Sequence, residues 1–511
     1  MNRRSGALRA WPPGKDCESM SDFKDRIESF LSSSENLSRR HVHPRLLKMF
    51  ELGGMNKAFV RAEGQYLWDA EGERYLDLLA GGGVYFLGRN HPRINGALID
   101  VLSMNLPNLC VVNASILGGM VAEKLLALGG PHFTKVVFAN AGSEATEVAL
   151  RFARQATRRR RFLYVEGAFH GRSYGAISVC GFESMRKGID PAMPTCTPIQ
   201  RNDLGQLRRE LAMGDVAGLI FEPVQGMTGL PLDPAWLREA ESLCEQHGSL
   251  LIADEVQTGL GRTGAWFATR EMGVRPHIMT VSKTLSGGQV PVGAVLVNEN
   301  LYDRIYSGFG TGLVYFSTFA ENNLAMAASL ATLEVLEEMD APAEAAWKGE
   351  HLRRGLEDIA SRYDCIDSVQ GKGLMCTIYF KDSANAGLLA QQKVLKAADP
   401  GAFAAAVHVD LFKRQRIVGQ IPGPGIDAIK ILPPVIVTQE DLDTFLGSFE
   451  DTIARFYGRQ GPIVSIGRGF VESVAKRVAE TIPATAPAVE RLIGGPASAD
   501  SAEKKTVRDL N

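Results

Sequence analysis

The sequence lacks the cysteine pattern of a stapled or metal-bound protein. Its seven cysteines, Cys17, Cys110, Cys180, Cys196, Cys244, Cys365 and Cys376, are an odd number without C-x-x-C spacing. That argues against a disulfide framework and a zinc site, and it fits a reducing, cytoplasmic setting. The chain also lacks an excess of charge: 56 basic and 58 acidic residues leave a formal net charge of -2. No global field therefore favours nucleic acid or an anionic membrane. No apolar run reaches the roughly 20 residues needed to span a bilayer. The basic start MNRRSGALRAWPPGKD leads into polar chain, not into the apolar core of an export signal. Internal repeats are missing too. What is present is an ordinary globular composition, 45% hydrophobic and 22% charged over 511 residues, long enough for more than one domain. A small-molecule partner is the expectation, with no nucleic acid and no membrane contact.

The pattern along the chain predicts an N-terminal segment over 1–65, a large domain over 66–340, a smaller α+β domain over 341–460 and a tail over 461–511. The first twenty residues are rich in Arg, Gly, Pro and Ser, and SDFKDRIESFL then carries Phe23, Ile27, Phe30 and Leu31 on one helical face. From Tyr66 the reading is strand-like with a turn at Glu71 and Gly72, then helical through INGALIDVL and GGMVAEKLLALGG. Between Lys135 and Met339 the runs KVVFAN, RFLYVEG, VAGLIFEPV, SLLIADEV and HIMTVSK read as buried strands, and SEATEVALRFARQATRR and PAWLREAESLCEQHG as helices. That alternation predicts an open, mostly parallel sheet with helices on both faces, where ligands sit beyond the carboxyl ends of strands. The strand exits, NAGSEA, GAFHGRS, EPVQG, DEVQTG and SKTLSGG, are polar or glycine-rich. Further strands are predicted in CIDSVQGKGLMCTIYF and AIKILPPVIV. In the tail, VESVAKRVAETI reads as an amphipathic helix, and the composition from Ala497 onward reads as disordered.

Taken singly, each polar residue at these exits has an ordinary structural explanation; their combination points to chemistry. Asp254 follows four apolar strand residues in LLIADEVQTG, and a carboxylate there is costly to bury without a cation or a donor. A buried ion pair with Arg or Lys satisfies that demand, and so does a protonated pyridine nitrogen, whose ring would then serve as an electron sink. Lys283 ends another apolar strand just before a glycine-rich turn, where desolvation lowers the amine's pKa and frees it to form an imine. Gly142 and Ser143 open a helix whose free N–H groups and dipole suit a phosphate, or simply start a capped helix. Phe169 offers a stacking face, with Val256 and Gln257 placed for the opposite face and a phenolic oxygen.

The motifs FANAGSEATEVALRFAR, GAFHGRS, EPVQG, LLIADEVQTGLGRTG, SKTLSGG, FSTFAENNLAMAA and IKILPPVIV, in this order, resemble those of the class III aminotransferases, the ornithine, acetylornithine and 4-aminobutyrate type. The resemblance runs from about Val60 to Phe456. It implies the pyridoxal-phosphate-dependent transferase fold type I, an α/β large domain with a mostly parallel seven-stranded sheet and a smaller α+β C-terminal domain. It implies a homodimer with shared active sites, and pyridoxal 5'-phosphate carried as a Schiff base on Lys283. Asp254, Val256, Gln257, Phe169, Gly142 and Ser143 would complete the cofactor site, and Thr318 would bind the phosphate of the neighbouring subunit.

Substrate recognition is implied for Glu222, for Arg172 as the holder of a carboxylate distant from the reacting amine, and for Tyr85 in the pocket wall. The family's usual carboxylate-binding arginine before the PP pair is Lys430 here, which keeps a charge but loses the bidentate fork. The family's GGNP reads AENN (Ala320 to Asn323), and its QGEGG reads QGMTG. The implied reaction moves an amino group from an amino acid or ω-amine donor to an oxo-acid or aldehyde acceptor in two half-reactions. Epimerisation, amine migration or decarboxylation on the same scaffold, and a non-catalytic scaffold that binds the cofactor, are the alternatives.

Overall fold

In the computed structural model the apolar runs between amphipathic segments become strands of one sheet. The structure describes residues 20–31, 38, 40–53, 55–109, 114–189, 193, 195–312, 314–397, 399–423 and 425–458. The first nineteen residues, Cys17 among them, Cys110, and the tail over 461–511 with its predicted helix lie outside the described residues.

Three sheets are formed. The N-terminal ribbon supplies β1 (Phe59–Glu63), β2 (Tyr66–Asp69) and β3 (Arg74–Asp77), turning at Glu71 and Gly72. The central sheet contains β4 (Lys135–Ala139), β5 (Arg161–Val165), β6 (Cys196–Ile199), β7 (Val216–Phe221), β8 (Leu250–Asp254), β9 (Ile278–Val281) and β10 (Gly293–Val297). Its order is β4-β10-β9-β8-β7-β5-β6. Neighbours from β9 to β6 pair in parallel, and β10 alone is reversed against both β4 and β9. Since β4 and β9 run the same way on either side of β10, the carboxyl ends of β4, β5, β7, β8 and β9 share one edge.

Both faces of that sheet are covered, which is why β7, β8, β9 and β10 are buried at every position. The Gly142–Thr157 helix lies across β7 to β10, burying Val148, Phe152 and Ala156 against Phe162, Ile220 and Ile252. On the other face the Pro234–His247 helix places Trp236, Leu237 and Leu243 against Leu163, Leu219 and Leu251. Its ends follow from local chemistry: Asp233 accepts from Ala235 N at 2.8 Å, Pro234 is the first helical residue, and Gly248 ends it in the left-handed region. Each large apolar side chain buried this way contributes roughly 1.5–3 kcal/mol.

The C-terminal part holds β11 (Ile366–Lys372), β12 (Met375–Phe380) and β14 (Ala428–Ile431) in an antiparallel sheet, and β13 (Ile417–Val418). Helices Ala341–Arg362, Ala402–Gln415 and Gln439–Tyr457 share its core through Leu352, Phe403, Phe445 and Phe449. The ribbon does more than lead into the large domain, because β13 pairs in parallel with β3. Tyr66 and Gln65 also donate to Asp441, Gln65 at 2.7 Å. Segments far apart in the sequence, the ribbon and the C-terminal part, are thereby tied together.

Candidate active site

At the central sheet's carboxyl edge the strand exits bring together most of the polar residues singled out in the sequence. Asp254 ends β8 and is 4% exposed. Its Oδ1 accepts from Val256 N at 3.0 Å and from the Thr280 hydroxyl at 3.3 Å. Its Oδ2 lies 2.7 Å from His170 Nδ1. The partner anticipated for this carboxylate is thus a histidine, with no Arg or Lys ion pair among the described residues. His170 was missed as a site residue although it stands in GAFHGRS beside Phe169; an imidazole one residue from a proposed stacking ring was the available signal. Its Nε2 is buried with no partner among the described residues.

Lys283 follows β9 and opens a short 3-10 turn, Lys283–Ser286, with φ at 45°. A left-handed conformation at a non-glycine residue costs on the order of 1–3 kcal/mol and persists only where its surroundings hold it. Those surroundings include Ser282, whose hydroxyl donates to Val292 O at 2.6 Å, and Thr284, which donates to Gly83 O at 3.5 Å. Burial pushes the Lys283 amine down to about 8; the Asp254 and Glu222 carboxylates oppose that shift and the Arg262 guanidinium adds to it.

Glu222, just past β7, is 5% exposed and accepts from Gly226 N at 2.9 Å and Phe169 N at 3.4 Å. Burial is the main reason its carboxyl is pushed up to about 7; His170 opposes the shift, Asp254 adds to it, and the Gly226 N–H and Lys283 lower it. Arg262 is fully buried and donates to Pro433 O at 2.6 Å, Leu374 O at 3.1 Å and Gly83 O at 3.3 Å, with its guanidinium 4.2 Å from the Phe86 ring centroid. It ties three segments together, has no carboxylate partner among the described residues, and keeps its Nε buried without a hydrogen-bond partner there.

The helix start at Gly142 has no side-chain cap. Its backbone is crowded into place: a Cβ on Gly142 would lie 2.9 Å from Val256 Cγ1, and one on Gly171, at φ 132°, would lie 2.6 Å from Ser143 Cβ. The loops carrying Phe169 and Val256 are therefore held tightly against the first turn of this helix, leaving the N–H groups of Gly142 and Ser143 without a side-chain acceptor.

Gln257 bridges two elements. Its Nε2 donates to Gly82 O at 3.0 Å and its Oε1 accepts from Lys430 Nζ at 2.6 Å. Lys430, on β14 and 1% exposed, also donates to Gly226 O. Burial holds its amine well below the ordinary lysine range, with Lys283 and Arg262 adding to that shift and Glu222 opposing it.

Arg172 is exposed, with its guanidinium 5.7 Å from the Phe169 ring centroid and no carboxylate pair among the described residues. Tyr85 is half-buried beneath the Arg89 guanidinium, 4.2 Å from its ring centroid, and packs close to Gly81 and Gly288. Thr318 stands apart: it is exposed and lines a cavity of about 350 Å³ with Ile116, Phe316 and Glu321, none of which belongs to the cluster around Lys283.

Comparisons with known proteins agree with one another. A family model described as Aminotransferase class-III matches residues 53–453. The chain is similar to putrescine aminotransferase of Pectobacterium atrosepticum, 32% identical over 435 residues that cover 82% of this chain and 88% of that protein. It is 29% identical over 449 residues to aminotransferase PigE of Serratia sp., covering 81% of this chain but 53% of PigE, so it spans about half of that relative's length. Among solved structures, ornithine aminotransferase from Toxoplasma gondii, described with pyridoxal phosphate partly occupying its active site, superposes with a TM-score of 0.71 at 25% identity. That match covers 86% of this chain and 98% of the other.

Proposed function

The chain belongs to the class III aminotransferases and is a pyridoxal 5'-phosphate-dependent transaminase, and from that premise we propose that Lys283 holds the cofactor covalently at the carboxyl edge of the central sheet. The residues present fit the group. An uncapped helix start at Gly142 and Ser143 offers N–H donors to a phosphate. The buried Asp254 carboxylate suits a protonated ring nitrogen, and Lys283 supplies an amine that is largely neutral just above pH 8. Phe169 and Val256, crowded against the same helix turn, supply the two ring faces.

The cofactor, when bound, supplies an electron sink for the bond being broken at the substrate carbon. The chain's own part is to hold groups still and to move a proton. Lys283 Nζ would take the proton from the donor carbon and deliver it on the cofactor side, a task suited to a base near the working pH. Three donors converge on the Asp254 carboxylate, and His170 fixes its orientation. Glu222, its carboxyl pushed up to about 7 by burial, is poised to change charge as cations enter the pocket. Arg172, exposed and unpaired among the described residues, takes an anionic group distant from the reacting carbon, and Tyr85 closes the pocket on that side. The donor is an amino acid or ω-amine, and the acceptor an oxo-acid or aldehyde that reverses the same steps.

The same proposal includes a homodimer. Ile116, Met120, Phe316 and Phe319 are large apolar side chains left exposed around Thr318, at 77%, 45%, 53% and 61%, an apolar surface of the kind that marks an interface. A second copy seated there would present Thr318 to its neighbour's phosphate site. The buried free thiols Cys180, Cys244, Cys365 and Cys376 suit a reducing cytoplasm.

The observation that carries the proposal is the convergence of Lys283, Asp254 and Glu222 beside the uncapped helix start. Its test is spectroscopic. An amino donor added without acceptor converts the cofactor's absorbance to that of the pyridoxamine form. No conversion with any amine or amino acid tried would sink the proposal.

A further inference from the structure

Glu144 uses its two carboxylate oxygens on different parts of the chain. It stands in the first turn of the Gly142–Thr157 helix, whose start carries the N–H groups proposed for the phosphate. Its Oε2 accepts from Asn140 N at 2.7 Å and from Asn140 Nδ2 at 3.0 Å, local bonds of the kind that finish a helix start. Its Oε1 accepts from the hydroxyl of Tyr315, 171 residues further on, at 2.9 Å. Asn140 Nδ2 reaches the same segment and donates to the Ser317 hydroxyl at 2.7 Å. The Tyr315 ring is half-buried against the apolar cluster that holds Val148 and Phe152 of the same helix. The segment is therefore fastened at Tyr315 and at Ser317, and Thr318, the next residue, is exposed.

We infer that Glu144 and Tyr315 are positioning residues for the cofactor of the neighbouring subunit, because they fix the segment whose Thr318 serves that subunit's phosphate. The inference rests on the homodimer and the Lys283 site proposed above, and it adds how one chain shapes the other's site. Three features support it. Capping of the helix would engage Glu144 Oε2 with Asn140 and would need nothing from Tyr315 or Ser317. The clamp is also charged. Burial works against the Glu144 charge, but the Asn140 N–H, the Ser317 and Tyr315 hydroxyls and the Asn140 side chain hold its carboxyl below the usual range. Burial and the Glu144 carboxylate push the Tyr315 hydroxyl up, so it stays a donor, and a hydrogen bond to a charged group is roughly twice as strong as a neutral one. Finally, Phe316 and Phe319 on either side of Thr318 are 53% and 61% exposed, so the chain's own core does not hold this tip. The bonds to Glu144 and Asn140 do.

The test uses dimers of full-length chains co-expressed with two different tags, each pairing a reporter chain that keeps Lys283 with a silent chain carrying Lys283→Ala. Pyridoxal phosphate is titrated into the cofactor-free dimer, and the absorbance specific to Lys283-bound cofactor gives the dissociation constant of the reporter site. Tyr315→Phe keeps the ring and removes the hydroxyl alone. Placed on the silent chain, it is expected to weaken the reporter site by about tenfold; placed on the reporter chain, it should leave that constant unchanged. Ser317→Ala should follow the same pattern. Tyr315→Phe added to Thr318→Ala on the silent chain should cost nothing further, since both act through one residue. The inference is overturned if the loss appears with Tyr315→Phe on the reporter chain, is equal in both arrangements, or appears in neither. A monomer in sedimentation velocity would overturn it together with the homodimer, while uptake of the cofactor at Lys283 would still be read. No Lys283-bound absorbance in the wild type would remove the cofactor site itself, and the inference with it. Should Tyr315→Phe not fold, Ser317→Ala decides by the same criteria.

Discussion

His170 Nδ1 and Asp254 Oδ2 lie 2.7 Å apart, both buried, at the exits of two strands separated in the sheet only by β7. With the Val256 N–H and the Thr280 hydroxyl on the other oxygen, the carboxylate is fixed from both sides. Removing the imidazole in His170→Ala takes away one buried hydrogen bond, a loss of about 1–3 kcal/mol. Donor half-reaction rates are expected to fall by roughly 5- to 150-fold with the fold intact. Asp254→Asn is expected to be worse, on the order of 100- to 1000-fold, because it removes the charge itself. Stopped-flow measurement of both variants checks the order.

The Lys283 amine, held down to about 8 by burial, gives a pH dependence with a definite sign. Below that pH the amine is protonated and cannot attack an aldehyde; above it the amine is free. Uptake of pyridoxal phosphate by cofactor-free protein should therefore accelerate with rising pH and level off above about 8. Among the groups facing the amine, Asp254 and Glu222 raise this midpoint and Arg262 lowers it, and Lys430 is a further cation beside it. A Glu222→Gln variant should have a lower midpoint. A rate that kept rising to the ordinary lysine range would contradict the account.

Gly142 has no room for a side chain, since its Cβ would meet Val256 Cγ1 at 2.9 Å. Gly142→Ala must push the helix start away from the Val256 loop, and overpacking of this kind costs about 1–3 kcal/mol. The expected outcome is a cofactor dissociation constant weakened by roughly 5- to 150-fold, with thermal stability of the cofactor-free protein lowered by less. Equilibrium titration with the cofactor separates the two.

Arg172 stands exposed over Phe169. If it holds a remote anion, Arg172→Ala loses a charge-assisted hydrogen bond of about 1.5–3 kcal/mol. The half-saturation constant for 4-aminobutyrate should then rise by roughly 10- to 150-fold, while that for putrescine stays unchanged. Equal effects on both donors would assign Arg172 to the cofactor stack instead.

Much of this architecture was legible because burial on both sides of a parallel sheet writes itself as unbroken apolar runs. β4, β5, β7, β8 and β9 were each read that way, and so were the helices from Gly142 and Pro234. β10 was not, although it is buried throughout, because Gly287, Gly288 and Pro291 break the pattern just ahead of it. β6 escaped for another reason: it is an edge strand of four residues with a proline at its third position, Pro198, and pairs with β5 alone. At the site, Asp254 and Lys283 were visible because a charge after an apolar run needs a reason. His170 was passed over because its one local signal, a place next to Phe169, does not show that its ring reaches Asp254, 84 residues away. The inward turn of Lys430 was illegible as well, since its partners lie on loops 173 and 204 residues away.

The central claim is that Lys283 is the residue to which the cofactor is joined. Reduction of the holoenzyme with borohydride, followed by proteolysis and mass spectrometry of the peptides, tests it directly. The account predicts the phosphopyridoxyl group fixed on Lys283 in the peptide spanning VSKTLSGG; finding it on any other lysine, Lys430 included, would contradict it.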